Sequence, residues 1–216
     1  GGMCSPFFIF FSQLNEQFIN HVDSSSFENL CHSHIQFFQH YISPNFSYAD
    51  FSNRTQRAKN PLKLFEDLIS YMALYGLAHY QRMRAIFAHM QAESNSKFTQ
   101  PIKATIVDYG CGQGIATLAF IDHLLESGHT IEELDIILIE PSTMALQRAI
   151  YWIDAKAKAE KIKINYSFHA CNFDELADDF LASAHHQPYI HLFSNILDIY
   201  STGSYSLDHL SQKIKS

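Results

Sequence analysis

Charge is scarce in this sequence of 216 residues, and basic charge is scarcer still. Only 17% of the residues are charged, with 15 Lys and Arg against 22 Asp and Glu. The deficit is local. Residues 1–100 carry seven of each sign, whereas residues 101–216 carry eight basic and fifteen acidic ones. Wrapping DNA or RNA takes a basic stripe that displaces counterions from phosphate, so the second half is poorly suited to it. Long apolar runs are missing too: no stretch approaches the ~18 residues of a membrane-spanning helix. Residues 7–11 are densely apolar but few, and no basic segment precedes them. A signal peptide is therefore not expected, and the cytoplasm is the default location. Cys4, Cys31, Cys111 and Cys171 never show C-x-x-C spacing, which points to reduced thiols rather than a zinc or redox motif. The histidines do not supply the missing metal spacing. His185 and His186 are adjacent and His32 and His34 lie two apart, so neither pair presents two imidazoles on one helical face, and no metal site is expected.

What remains is a chain with 47% hydrophobic residues, enough for a packed core and of a length for one domain with an appendage. The first hundred residues read as helical. Phe7, Phe11, Leu14 and Phe18 form a stripe over residues 5–22, widened by Phe8 and Phe10. That stripe packs on the next helix or serves as a face for a protein partner or a second copy. Ser25 followed by Glu28 reads as a capping box. It opens a helix with Phe27, Leu30, Cys31, Ile35, Phe38, Tyr41 and Ile42 on one face, His34 among them, stopped at Ser43-Pro44. Residues 44–60 read as a loop carrying Arg54, Arg57 and Lys59, either a connector or a lid. Asn60-Pro61 predicts the start of a long helix, with a kink or a junction of two helices at Gly76. Tyr71, Tyr75, His79, Tyr80 and Arg82 give that helix a polar-aromatic middle, which is either a buried seam or one wall of a site.

From Pro101 onward, strands and helices alternate. Strands are predicted at 104–108, 134–140, 163–168 and 189–194. Helices are predicted at about 115–126, 141–161, 173–183 and 205–215. The pattern implies an α/β fold, a Rossmann-like parallel sheet with helices on both faces, over residues 101–216, preceded by an α-helical region over residues 1–100.

The second region is organised around residues 105–114, T-I-V-D-Y-G-C-G-Q-G. A short apolar run ends in Asp108, glycines follow at 110, 112 and 114, and an apolar stretch at helical spacing comes next. This is strand, tight glycine turn, helix: bare backbone against which a ligand can lie, followed by the N–H groups of a helix start. A dinucleotide site wants G-x-G-x-x-G, but position 115 is Ile. Asp108 before the turn would repel a pyrophosphate and suit an ammonium or sulfonium group. No Gly-Lys-Ser/Thr follows, so this is not a phosphate-binding P-loop.

D-Y-G-C-G-Q-G resembles the first motif of the class I, Rossmann-like, S-adenosylmethionine-dependent methyltransferases. The resemblance continues in order along residues 101–200. It implies that Asp108, Gly110, Cys111, Gly112 and Gly114 bind the cofactor S-adenosyl-L-methionine. It implies that Glu140, at the end of the second strand, takes both ribose hydroxyls, which a carboxylate can do side by side. Pro141 and Ser142 continue that motif. Asn172 stands where the family usually has the Asp that accepts the adenine amino group, and Phe173 would lie against the adenine. Ser194, Asn195 and Leu197, in L-F-S-N-I-L-D-I, match the segment that flanks the methionine end. That segment is not N-P-P-Y or D-P-P-Y, so amino groups of nucleic-acid bases gain no support as acceptors.

The family's sheet runs 3-2-1-4-5-7-6, and only four strands are legible. A short apolar fourth strand makes an unprotected edge, so a C-terminally truncated piece, or another segment covering that edge, is expected. The function implied is methyl transfer to an unidentified acceptor. An inactive methyltransferase-like scaffold and, less favoured, a dinucleotide-dependent oxidoreductase are the alternatives. The catalytic residue is not fixed; His79, Tyr80 and Asp198 are candidate bases.

Overall fold

The computed structural model describes residues 6–56, 60–93 and 100–193. Helix α1 is Pro6–His21 and α2 is Phe27–Phe37, extended by a π turn, Phe38–Ile42. The cap of α2 is Ser26, whose side chain accepts from the Asn29 N–H. The predicted cap, Ser25, bonds instead to Asp23. The segment predicted to be a loop contains a helix, α3, Tyr48–Thr55, capped by Ser47. Arg54 of the basic cluster makes a two-pronged ion pair with the buried Asp67, which fastens α3 to the next helix. Arg57 and Lys59 lie outside the described residues.

The long helix predicted from Asn60 begins later. Helix α4 is Phe65–Tyr71. Residues 60–64 form instead a non-helical strap, because Leu62 gives its carbonyl to Ser142 and Asn60 gives its side chain to Arg54. Two helical segments meet at Gly76, one of the two alternatives predicted. A π turn, Met72–Gly76, joins α4 to α5, Leu77–Glu93. A Cβ at Gly76 would meet Met72 Sδ at 2.6 Å and Cys31 Sγ at 3.3 Å, so the glycine lets α2 approach closely.

Strands β1 (Ile102–Tyr109), β2 (Ile131–Ile139), β3 (Lys163–His169) and β4 (Tyr189–Leu192) form one parallel sheet in the order β3-β2-β1-β4. The fold is thus α/β and Rossmann-like, with an N-terminal helical region. Strands β1 and β2 are buried along nearly their whole length, as expected of central parallel strands. Helices α6 (Ile115–Glu126) and α7 (Thr143–Glu160) join successive strands and share one core with the sheet and the cap helices. After β3 the chain reverses and returns to the far side of β1. A right-handed crossover in that direction runs over the opposite face. There Phe173, Leu176 and Phe180 pack on Val107, Tyr109, Ile137 and Ile139. The helix predicted at 173–183 is only a 3₁₀ turn, Phe173–Glu175, followed by further turns. The last predicted helix lies outside the described residues, as does residue 194, the predicted end of the fourth strand; β4 itself ends at Leu192. Among the described residues, no helix is long and apolar enough to cross a membrane.

A buried cation joins the cap to the sheet region. Arg148 of α7 is fully buried. Its guanidinium donates to Gln113 Oε1 (2.8 Å), Asn15 Oδ1 (2.8 Å) and His34 Nε2, and it lies over the rings of Phe18 and Trp152. His34 Nδ1 bonds the Leu30 carbonyl at 2.6 Å. A carbonyl only accepts, so the proton is on Nδ1 and Nε2 is left to accept from arginine. Burial and the facing Arg148 hold the His34 pKa well below the usual imidazole range. The unfolded chain takes up a proton near pH 6.5, and the native fold does not. Stability should therefore fall as pH drops below that value, by at most about 1.4 kcal/mol per pH unit from this group. Asp108 and Glu140, with raised pKa values, act in the opposite direction over the same range, so the difference in urea midpoint between the parent and His34→Gln, followed from pH 7.5 to 5, should show this slope. A slope unchanged in the variant would assign it to other groups.

Candidate functional site

The end of β1 and the turn after it are wired to the end of β2. The Cys111 N–H donates to the Ile139 carbonyl, and the Gly112 N–H donates to Glu140 Oε1 at 3.1 Å. Glu140 Oε2 accepts from the Ser142 N–H at 2.7 Å. The carboxylate thus lies against the glycine turn, bridging it to the start of α7. Burial raises the Glu140 pKa to about 6, against the two N–H groups and Lys63, which pull it down.

All three turn glycines have positive φ, the region that L side chains avoid. Gly114 has a second constraint. A Cβ there would stand 3.0 Å from Ala149 Cβ and 3.2 Å from Ile153 Cδ1. Helix α7 therefore presses on this position, and the third glycine serves helix packing. The side chain between the last two glycines does the joining. Gln113 accepts from Arg148, donates Nε2–H to the Leu68 carbonyl at 3.0 Å, and takes the Trp152 indole N–H on its own carbonyl at 2.6 Å.

Asp108 is fully buried beneath the turn. Its Oδ2 accepts from Thr117 Oγ1 at 2.7 Å, while Oδ1 has no partner among the described residues. Burial raises its pKa to about 7, assisted by the Glu140 charge and opposed by Thr117. A half-satisfied buried carboxylate is costly and marks a place where a donor or cation is wanted.

Over the turn lies a cavity of about 40 Å³. Its floor is Cys111, Gly112, Gln113, Ile115, Glu140 and Ala145. Its roof is the strap, through Asn60, Pro61 and Leu62, with Leu68, Tyr71 and His79 from the cap. Ser142 caps α7 through the Ala145 N–H and gives its own hydroxyl to the Leu62 carbonyl at 2.6 Å, which latches the strap down.

Of the residues predicted from sequence, Cys111, Gly112 and Glu140 meet in this cavity, with Ser142 at the strap and Asp108 beneath the turn. Gly110 lies at the start of the turn, and Pro141 stands between Glu140 and Ser142. Asn172 and Phe173 are not in the lining. Asn172 caps the 3₁₀ turn, its side chain taken by the Glu175 backbone N–H, and the Phe173 ring packs edge-on against Tyr109 at 5.4 Å. Ser194, Asn195, Leu197 and Asp198 lie outside the described residues. Of the candidate bases, His79 lines the cavity. Tyr80, its neighbour in sequence, turns away to donate to Asp122 at 2.6 Å and stack on Phe27. Its role is in the seam between α5 and α6. The adjacent histidines 185 and 186 precede β4, where their N–H groups bond Asp135 in the middle of β2.

Sequence reading missed Gln113 and Arg148. Arg148 falls in phase with the apolar positions Ala145, Ala149, Trp152 and Ile153, and a charge on an otherwise buried face was the available signal. No protein-family model matches this chain. No curated protein matches it significantly.

Two substitutions test this geometry. Asp108 has a native pKa raised above its unfolded value, so its protonated form is favoured by folding. That contribution is complete below about pH 4 and is lost as pH rises through about 7. Asp108→Asn should therefore stabilise the unliganded protein by about 1–2 kcal/mol at pH 8 and by less at pH 5, read as denaturant midpoints. Gly114→Ala should cost about 2–4 kcal/mol through φ strain and overpacking on α7. A melting temperature within a degree of the parent would refute the close-packing role.

Proposed function

We propose that this chain binds S-adenosylmethionine over the glycine turn and transfers its methyl group to an acceptor held beneath the helical cap. The observation that carries this reading is the fully buried Asp108 carboxylate with one oxygen unpartnered among the described residues. It lies beneath a positive-φ glycine turn that touches Glu140. A donor or positive charge completes Asp108, bare backbone accommodates a nucleoside, and Glu140 can accept from two adjacent hydroxyls. The site also lies at the carboxyl ends of the strands and beside the point where strand order reverses, between β1 and β4. Open α/β sheets bind their ligands there.

The donor set fits the cofactor. Glu140 would hold the ribose, Asp108 would face the ammonium, and the backbone of Gly110 and Gly112 would form the floor. In the resemblance Pro141 and Ser142 would flank the ribose and Asn172 and Phe173 the adenine, and none of the four lines the closed cavity. The Asn172 side-chain oxygen already serves as a cap, so its hold on an amino group is the weakest of the set. Ser194, Asn195 and Leu197 complete the methionine side in the resemblance. When bound, the cofactor supplies an electrophilic methyl group on a sulfonium, and the protein's part is orientation and exclusion of water.

Space is the constraint. A cavity of about 40 Å³ holds about one water, whereas ligand pockets run to roughly 300–1,000 Å³. The strap must therefore lift before the cofactor seats, breaking the Ser142–Leu62 hydrogen bond. Glu140 must exchange N–H partners for hydroxyls.

Calorimetry with S-adenosylmethionine and its demethylated product tests the assignment. Glu140→Ala should weaken binding by about 1.5–3 kcal/mol, the worth of hydrogen bonds to a charged group. No heat with either nucleoside, under conditions where the fold is intact, would refute the reading. Ser142→Ala, which removes the hydroxyl that latches the Leu62 carbonyl, should tighten binding about 3–10-fold by raising the open fraction. An unchanged or weaker affinity would mean that the strap is not the barrier. Label transferred from methyl-tritiated cofactor to any acceptor in a cell extract separates an enzyme from an inactive scaffold.

A further inference from the structure

We propose that His79 is the proton acceptor of this site, positioned by Tyr71, and that the methyl acceptor is a small aromatic molecule bearing a hydroxyl group. The inference rests on the methyl-transfer reading above. It starts from the π turn between α4 and α5. On a regular α-helix, residues eight apart are about 80° out of register. The π turn, Met72–Gly76, takes up one residue more than an α turn and brings residues 71 and 79 into line. The Tyr71 hydroxyl and His79 Nδ1 then meet at 3.2 Å, and both side chains line the cavity opposite Glu140 and Gly112.

The surroundings choose the acceptor. The walls between the pair and the glycine turn are apolar, formed by Leu62, Leu68 and Ile115. Aromatic rings continue from the cavity to the surface. Tyr71 lies 5.5 Å from Tyr75, and the Tyr75 hydroxyl meets that of Tyr48, whose side chain is exposed. A flat aromatic molecule can slide along such rings by offset or edge contacts.

A hydroxyl is protonated at neutral pH and needs a base as it becomes a nucleophile. In the tautomer that the reaction needs, Nδ1–H donates to the Tyr71 oxygen and the imidazole lone pair is on Nε2. The acceptor oxygen forms its new bond to the methyl carbon as the carbon–sulfur bond breaks, with that electron pair passing to sulfur. The acceptor's proton passes to His79 and then to solvent.

The probe is 2-naphthol, whose fluorescence reports binding without turnover. With saturating S-adenosylhomocysteine, it should bind the parent protein and bind His79→Gln about tenfold more weakly, while the nucleoside binds both alike. With S-adenosylmethionine, 2-methoxynaphthalene should form, and His79→Gln should lower the rate about 10²–10³-fold. Added imidazole should restore part of the activity of His79→Gly, which a merely structural role would not allow. Tyr71→Phe should lose less than His79→Gln. Parent-level turnover in His79→Gln would overturn the proposal. So would label that appears only in protein or RNA, or naphthol that neither binds nor reacts while the nucleoside binds. Failure of the nucleoside to bind the parent would overturn the methyl-transfer reading itself, and this proposal with it.

Discussion

The fold depends on one buried guanidinium. Arg148 is fully buried, and each of its described hydrogen-bond partners is a neutral group, contributed by a different element. Asn15 comes from α1, His34 from α2 and Gln113 from the glycine turn. A charge moved into the interior costs several kcal/mol after relaxation. Hydrogen bonds to a charged group return about 1.5–3 kcal/mol each, and the Phe18 and Trp152 ring faces add to this. Burial lowers its pKa to about 9, so it stays charged at neutral pH. The cation is tolerable only when all of these partners are present, and that makes the position of the cap on the sheet region all-or-none.

Gln113 carries that constraint into the site. Its side chain is held by Arg148 on one side and by the Leu68 carbonyl on the other. The turn around it therefore cannot shift without disturbing both α4 and α7. Gly114 removes the remaining freedom by lying against Ala149. The strap is held more lightly: one hydroxyl from Ser142 and the apolar contact of Leu62 close the space above Glu140. Rigid floor and light roof are separate parts, and a ligand that opens the roof leaves the buried cation in place.

Legibility followed the range of the interactions. The β1 turn, the order of strands and helices after Pro101, and Glu140 at the tip of β2 could all be read, since each depends on neighbours close in the chain. Strand boundaries were right within about three residues. The errors came where a distant partner competed with a local preference. Asn60-Pro61 has the form of a helix start, yet Ser142, eighty residues on, claims the Leu62 carbonyl and leaves the strap outside the helix. Gly76 reads as a kink or a junction, and α4 and α5 do meet there; only the form of the junction, a π turn with Cys31 close against the glycine, depended on packing. Residues 44–60 look like a loop, but the ion pair of Arg54 with Asp67 supports a helix there. Adjacent His79 and Tyr80 gave no sign of pointing to different surroundings.

The sequence alone determined the α/β alternation, the helical region before it, and the glycine turn between an acidic strand end and an apolar helix. Periodicity and backbone freedom are local properties, and they survive without knowledge of what lies across the core. Tertiary structure alone decided that Gln113 and Arg148 join the two regions, that Glu140 and the turn satisfy each other, and that Tyr71 and His79 share one face. Those outcomes depend on which polar groups meet after burial. In a low-dielectric interior, a donor or charge must take whatever partner the packed elements bring to it.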